Sequence, residues 1–204
     1  MSAIDDQEIE VKFMIRDLPR LEALLQQQGA LLESERVFEA NLRFDTPARD
    51  LTRAKRVLRL RQDQRARLTY KGPSQGGGEV NARQEIEFEV GDFNAARRLL
   101  KALGYEVSAM YEKYRATYGL GELEVVLDEL PYGNFAEIEG PGAGAIKLAA
   151  DRLGLRWEAR ITDSYLGLFE RYCTGKNLRL VDLSFETFKP FTVLPADLGL
   201  EFAD

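Results

Sequence analysis

The 204-residue sequence contains no histidine, which removes Ser-His and Cys-His nucleophilic catalysis and the His-rich zinc sites in one step. It contains one cysteine, Cys173, so no disulfide can form within the chain. Any chemistry must therefore come from carboxylates, lysine, arginine, tyrosine or a metal held by oxygen. No apolar run approaches the length of a membrane span, and the first residues lack the basic-then-apolar layout of a secretion signal. The expectation is a cytoplasmic protein of a reducing compartment with no membrane partner. Basic residues are the minority, 28 Lys and Arg against 34 Asp and Glu, for a formal net charge of -6. A general nucleic-acid binder neutralises phosphates with a net basic surface, so none is expected here.

What is present is 45% hydrophobic residues, enough for a core in one domain with appendages. Four segments carry helical periodicity with recognisable ends. They are 18–28, with Pro19 in its first turn and Gly29 as a stop; 93–103, between Asp92 and Gly104; 145–153, before Gly154; and 164–172, with Thr162 and Asp163 as capping candidates. Between them apolar and charged residues alternate, which predicts eight strands at 8–15, 38–44, 56–62, 66–71, 83–90, 113–119, 122–128 and 135–139. The fold class is α+β, mainly β: an antiparallel sheet able to close into a barrel, with helices packed outside. Gly76, Gly77 and Gly78 read as a mobile hairpin connection without the Gly-Lys-Ser/Thr ending of a P-loop. Residues 1–182 are taken as the domain, and residues 183–204, with Phe185, Phe188 and Phe191, as a tail apolar enough to pack against it.

Residues two apart in a strand share a face. Glu8, Glu10 and Lys12 therefore oppose Ile9, Val11 and Phe13, and Arg59 and Arg61 oppose Leu58 and Leu60. The same split gives Arg67, Thr69 and Lys71; Glu85, Glu87 and Glu89; Lys113 and Arg115; Glu122, Glu124 and Asp128; and Glu137 and Glu139. An ordinary solvated face mixes signs, whereas several of these strands are all basic and others mostly acidic, which sets like charges side by side. With the apolar faces turned out beneath the helices, the charged faces line a barrel interior. Clustered carboxylates there call for cations and clustered Arg and Lys for an anion, a pair of demands met by Mg²⁺ or Mn²⁺ with a polyphosphate.

Glu8-Ile9-Glu10-Val11-Lys12 matches the E-x-E-x-K signature of the CYTH family, the triphosphate tunnel metalloenzymes. Asn41-Leu42-Arg43-Phe44-Asp45-Thr46, Leu58-Arg59-Leu60-Arg61, Leu68-Thr69-Tyr70-Lys71-Gly72-Pro73, Glu112-Lys113-Tyr114-Arg115 and Phe135-Ala136-Glu137-Ile138-Glu139 follow it in order. The chain resembles that family from Glu8 to the fourth helix. The resemblance implies an eight-stranded antiparallel barrel forming a tunnel. It assigns Glu8 and Glu10, with Glu137 and Glu139, to a divalent metal, and Asp128 and Glu87 to further metal or water contacts. Lys12, Arg59, Arg61, Lys71, Lys113 and Arg115 would grip the phosphates. Glu85 serves either a metal or nearby arginines. Glu8, Glu10, Lys12 and Glu87 are the residues expected to carry the chemistry. Tyr165 is read as packing that could reach the tunnel mouth, Tyr105, Tyr111 and Tyr114 as core or rim, and Lys176 as a solvated helix end.

Two reactions suit such a site. A triphosphatase releases the terminal phosphate of tripolyphosphate, thiamine triphosphate or a nucleoside triphosphate; a class IV adenylate cyclase turns ATP into cyclic AMP and pyrophosphate. The triphosphatase is preferred because it requires only the charged tunnel, while the cyclase also needs a base-and-ribose pocket. A non-catalytic polyphosphate-binding module is the third reading. The expected partner is a small triphosphate, and the chain a monomer or homodimer.

Overall fold

The computed structural model describes residues 7–75, 78–180 and 182–204. Gly76 and Gly77, in the expected mobile connection, lie outside the described residues. The elements are β1 (Gln7–Ile15), α1 (Leu18–Gln27), β2 (Leu31–Asp45), α2 (Asp50–Arg53), β3 (Val57–Gln62), β4 (Ala66–Lys71), β5 (Asn81–Val90), α3 (Phe93–Ala102), β6 (Glu106–Leu120), β7 (Leu123–Leu130), β8 (Gly133–Glu139), α4 (Ala143–Arg152), β9 (Arg160–Ile161), α5 (Tyr165–Gly175) and α6 (Phe185–Phe188).

Eight strands pair antiparallel in the order β5-β4-β3-β2-β6-β7-β8-β1, and pairing of Gln7–Glu10 with Asn81–Gln84 joins β1 back to β5. The sheet is thus a ring. Past Glu10, where β5 leaves β1, the short β9 takes over the exposed edge at Lys12 and Phe13. β2 and β6 each run 15 residues, longer than their alternation predicts. Their pairing contains three register shifts, and each bulge interrupts the period-two pattern from which a strand is recognised.

The outward faces are apolar and most are covered, β5 least, where Ile86 and Phe88 stay exposed. Val11, Phe13, Leu127 and Ile138 pack with Leu21 and Leu25 of α1 and Ile146 and Ala150 of α4. Phe44 and Leu60 pack with Leu100 of α3. A side chain of this size stabilises by roughly 1.5–3 kcal/mol when fully buried. A third cluster continues the inward rows instead: Met14, two residues past Lys12, and Phe135, two before Glu137, gather with Leu130, with Leu168, Phe169 and Tyr172 of α5, and with Phe188 and Leu198. The last residues therefore do pack on the body. Leu183 N–H donates to the Met110 carbonyl and its carbonyl accepts from Glu112 N–H, covering the part of β6 that β7 does not reach. At the far end, the Asp204 carboxylate accepts from the backbone N–H groups of Arg16 and Asp17. α5 is capped by Ser164, which accepts from Gly167 N–H, rather than by Thr162 or Asp163; Asp163 pairs instead with Arg171.

Asp45 holds the turn from β2 into α2. Its carboxylate, on a residue 2% exposed, accepts from the N–H groups of Thr46, Leu51 and Thr52 and from the Thr52 hydroxyl at 2.6–2.9 Å. Burial alone raises its pKa, but the hydrogen bonds from Thr52, Leu51 and Thr46 outweigh it and hold the carboxyl below its ordinary value. Its stabilising contribution is therefore complete above the unfolded value of about 4 and fades as pH falls below it. Asp45→Ala should cost about 3 kcal/mol at pH 7. In urea titrations, its deficit against wild type should shrink as the pH is lowered through and below about 4.

Candidate active site

The ring encloses a cavity of about 320 Å³. Each wall residue comes from the inward row of its strand: Glu8, Glu10 and Lys12 from β1; Arg43 from β2; Val57, Arg59 and Arg61 from β3; Lys71 from β4; Arg83, Glu85 and Glu87 from β5. Tyr111, Lys113 and Arg115 come from β6, Glu124 from β7, Glu137 and Glu139 from β8, and Ser164, Tyr165 and Leu166 from α5. Of the residues expected to hold metal or phosphate or to carry the chemistry, all line the cavity except Asp128, which lies fully buried behind it; of the other charged-face residues, Arg67, Thr69 and Glu89 do not line it, and Glu122 falls in the turn before β7.

The sign-sorted strands are reconciled mainly by cross-strand register. Glu8 faces Arg83, Lys12 faces Glu137, Glu39 faces Lys113, Lys71 faces Glu85, and Arg115 faces Asp128. The repulsion expected along single strands is thus relieved largely within the protein. It survives in two places. On the β1-β8-β7 side, Glu10 and Glu124 both register with Glu139. On the β2-β3-β4 side, Arg43 registers with Arg59 and Arg61 with Arg67. Going round the ring these bands lie opposite one another, an acidic wall facing a basic one.

On the acidic wall, carboxylate oxygens of Glu8, Glu10 and Glu137 lie within 4.8 Å of one another, all three residues buried. Burial opposes the charge of Glu8 and Glu10, but Lys71 and Arg83 at Glu8, and Lys12 at Glu10, hold both carboxyls far below the ordinary value. Lys71 Nζ lies 2.5 Å from Glu8, and Lys12 Nζ 2.6 Å from Glu10. Glu139 has no such partner among the described residues; burial first, then Glu8, Glu124, Glu137 and Glu10, push its pKa up to about 8. Glu85 is pushed up by burial against the pull of Lys71, with Glu8 adding to the rise. A donor set made only of carboxylate oxygen, with neighbouring carboxylates repelling one another, fits a hard divalent cation such as Mg²⁺ or Mn²⁺.

On the basic wall, Arg59 and Arg61 reach Glu87 at 3.2 and 2.8 Å, and Thr69 donates to the same carboxylate at 2.7 Å. Asp128 ties the remaining side together. It accepts from Lys113 at 3.1 Å, from both Nε and Nη2 of Arg115 at 2.7 and 2.6 Å, and from the Tyr165 hydroxyl at 2.8 Å. The Tyr165 ring also lies 5.6 Å from Nζ of both Lys12 and Lys113. Tyr165 is therefore part of the wall as well as of the packing beneath α5.

Sequence reasoning assigned no role to Arg43, Arg83 or Glu124, and read Tyr111 as core or rim and Tyr165 as packing within reach of the tunnel mouth. The first three occupy inward positions of strands that were recognised, so period two carried the signal. Tyr111 lies two residues before Lys113 in a regularly paired part of β6, so period two extended by one step carried its signal as well. Nothing local marks Tyr165 as more than an apolar-face helix residue. Lys176 ends α5 and pairs with Asp197.

The family model described as "CYTH domain" matches residues 6–152. The chain belongs to the CYTH family. A protein of Methanocaldococcus jannaschii named "putative adenylate cyclase" is 28% identical over 134 residues, covering 65% of this chain and 75% of that one. Among solved CYTH-like structures, one from Vibrio parahaemolyticus, also described as a "putative adenylate cyclase", superposes with a TM-score of 0.73 at 23% identity, covering 80% of this chain and 97% of the other. A Hippeastrum protein, described as a "putative adenylyl cyclase" with a dominant triphosphatase activity, gives 0.59 at 19% identity, covering 85% and 97%. Tyr165 lies beyond the segment that the CYTH model matches.

Removing one partner of a buried ion pair leaves the other charge uncompensated. Asp128→Asn should destabilise by about 3–5 kcal/mol in chemical denaturation, and adding Arg115→Met should recover part of that loss, a coupling read directly from the double-mutant cycle.

Proposed function

We propose that this chain is a divalent-metal-dependent triphosphatase that holds a triphosphate inside a β-barrel tunnel and releases its terminal phosphate. The observation that carries this reading is the pair of opposed walls, one where carboxylate faces carboxylate and one where guanidinium faces guanidinium. The internal ion pairs leave like charges side by side at Glu139 on one wall and at Arg43 beside Arg59 on the other, and a metal–polyphosphate complex would bring the missing ion to each. The cavity volume suits a small polyphosphate or its ester and is too small for a folded nucleic acid.

Phosphoryl transfer asks the protein mainly for positioning and for cancellation of developing negative charge. The planar forks of Arg59, Arg61 and Arg115 fix phosphate oxygens in direction as well as distance, and Lys12, Lys71 and Lys113 add compact charge. Glu87 holds the Arg59 and Arg61 forks in place. Glu8, Glu10 and Glu137, with Glu139 beside them, would hold the metal; Asp128, expected from the resemblance to contact metal or water, is buried behind the wall and would instead hold Lys113 and Arg115 in place. When bound, the metal supplies charge neutralisation and Lewis acidity toward phosphate oxygens. Glu85, held up by burial and by Glu8, is suited to take the proton of an attacking water. The activity described for the Hippeastrum neighbour supports the same reading.

The cyclase remains the second reading, favoured by the name of the Methanocaldococcus jannaschii relative and by Val57, Tyr111 and Leu166, the apolar part of the cavity wall against which a base could lie. Here the same grip on ATP would present the α-phosphorus to the ribose 3′-hydroxyl, with pyrophosphate leaving.

Product analysis separates the readings. With Mg²⁺ or Mn²⁺ and, separately, tripolyphosphate, thiamine triphosphate and ATP, orthophosphate should appear, and a Glu8→Gln, Glu10→Gln variant should lose on the order of a hundredfold in rate. Cyclic AMP with pyrophosphate would move the assignment to the cyclase. Binding without any product would leave a polyphosphate-binding module. The metal ions alone should raise the melting temperature of the wild type and not of that variant.

A further inference from the structure

Arg43 differs from every other basic side chain in the cavity wall. Each of the others is ion-paired with a carboxylate at 2.5–3.2 Å. Among the described residues the Arg43 guanidinium makes no ion pair and no hydrogen bond; only its backbone carbonyl is used, by the Ser108 hydroxyl. Its neighbours across the sheet are Arg59 on one side and Ala109 on the other, a second cation and a methyl group. The nearby acids do not answer it, since Asp45 is committed to the α2 turn and Glu170 on α5 makes no bond to it.

Arg43 is half-buried in the cavity wall, and a cation so placed beside another cation is destabilising unless an anion joins it. The described residues supply none, which leaves the anion to the ligand. β2 lies four strands from β1 in either direction round the ring, so Arg43 faces the lumen from the side opposite Glu8 and Glu10. A ligand anchored near those carboxylates must extend across the cavity to meet it.

We propose that Arg43 is a substrate-binding residue that receives the phosphoryl group farthest from Glu8, Glu10 and Glu137, and that it thereby favours three linked phosphoryl groups over two. The assignment rests on the reading of the cavity as a polyphosphate site. It concerns binding alone, so it holds for either reaction.

Calorimetric titration of the intact protein with tripolyphosphate and with pyrophosphate tests it. Arg43→Gln should weaken tripolyphosphate by about tenfold or more and pyrophosphate by less than about threefold. Its melting temperature should be unchanged or raised, because the substitution removes an unpaired charge. Arg43→Lys, which keeps the charge but not the fork, should recover part of the affinity. Arg59→Gln is the contrasting control: it strips Glu87 of a partner and should lower the melting temperature as well as affinity. Wild-type binding that Arg43→Gln leaves intact would overturn this proposal alone, as would an equal loss for both anions or a fall in melting temperature. Failure of the wild type to bind either anion would overturn the polyphosphate reading, and this proposal with it.

Discussion

Asp128 meets two cations and a phenol with a carboxylate that no water reaches. In so dry a place an unpaired charge is costly, and the pairing works only if β6, β7 and α5 stand in one fixed relation. Lys12 between Glu10 and Glu137 makes the same demand of β1 and β8. Charges of this kind contribute less to stability than the apolar clusters outside the ring. They do fix where each fork and carboxylate points, since a one-residue slip in a pairing would break the cross-strand ion pairs and turn the apolar row inward.

The cost of the arrangement is concentrated on two adjoining strands. Oε2 of Glu39, both amide atoms of Asn41, and Nε of Arg59 and Arg61 are buried without a hydrogen-bond partner among the described residues. Glu39 and Asn41 belong to β2, Arg59 and Arg61 to β3, and the other side-chain atoms of this group are tied from Arg61 to Glu39 and Glu87 and from Arg59 to Glu87, Thr69 and Tyr111. A polar network left partly unsatisfied is less stable than an apolar core of the same shape. Its persistence next to the basic wall is the pattern of a site shaped for a ligand rather than for the resting fold.

Much of this was legible from one strand at a time. β4 begins and ends where alternation places it, and the inward positions of Glu8, Arg59, Lys71 and Glu137 follow from period two alone. What a single strand cannot reveal is which row will stand beside it. The sequence argument therefore assigned the excess charge wholly to outside ions, whereas registers such as Lys71 with Glu85 and Arg115 with Asp128 answer most of it internally. Bulges hid 31–37 and 106–108, because an extra residue reverses the alternation on which recognition depends. Tyr165 was hidden for another reason: its contacts with Lys12, Lys113 and Asp128 join residues more than thirty positions apart along the chain.

The motifs that recruit this chain to its family end at residue 152, yet Tyr165 and the apolar cover beneath it come afterwards. Recombination that exchanged only the motif-bearing segment between relatives would carry over the clustered carboxylates and cations of the cavity wall, and leave behind the phenol that braces them. The heritable module and the working module are thus of different length. Divergence among relatives in how tightly the same charged residues are held can then arise in α5 and the closing segment, without any change to the residues by which the family is recognised.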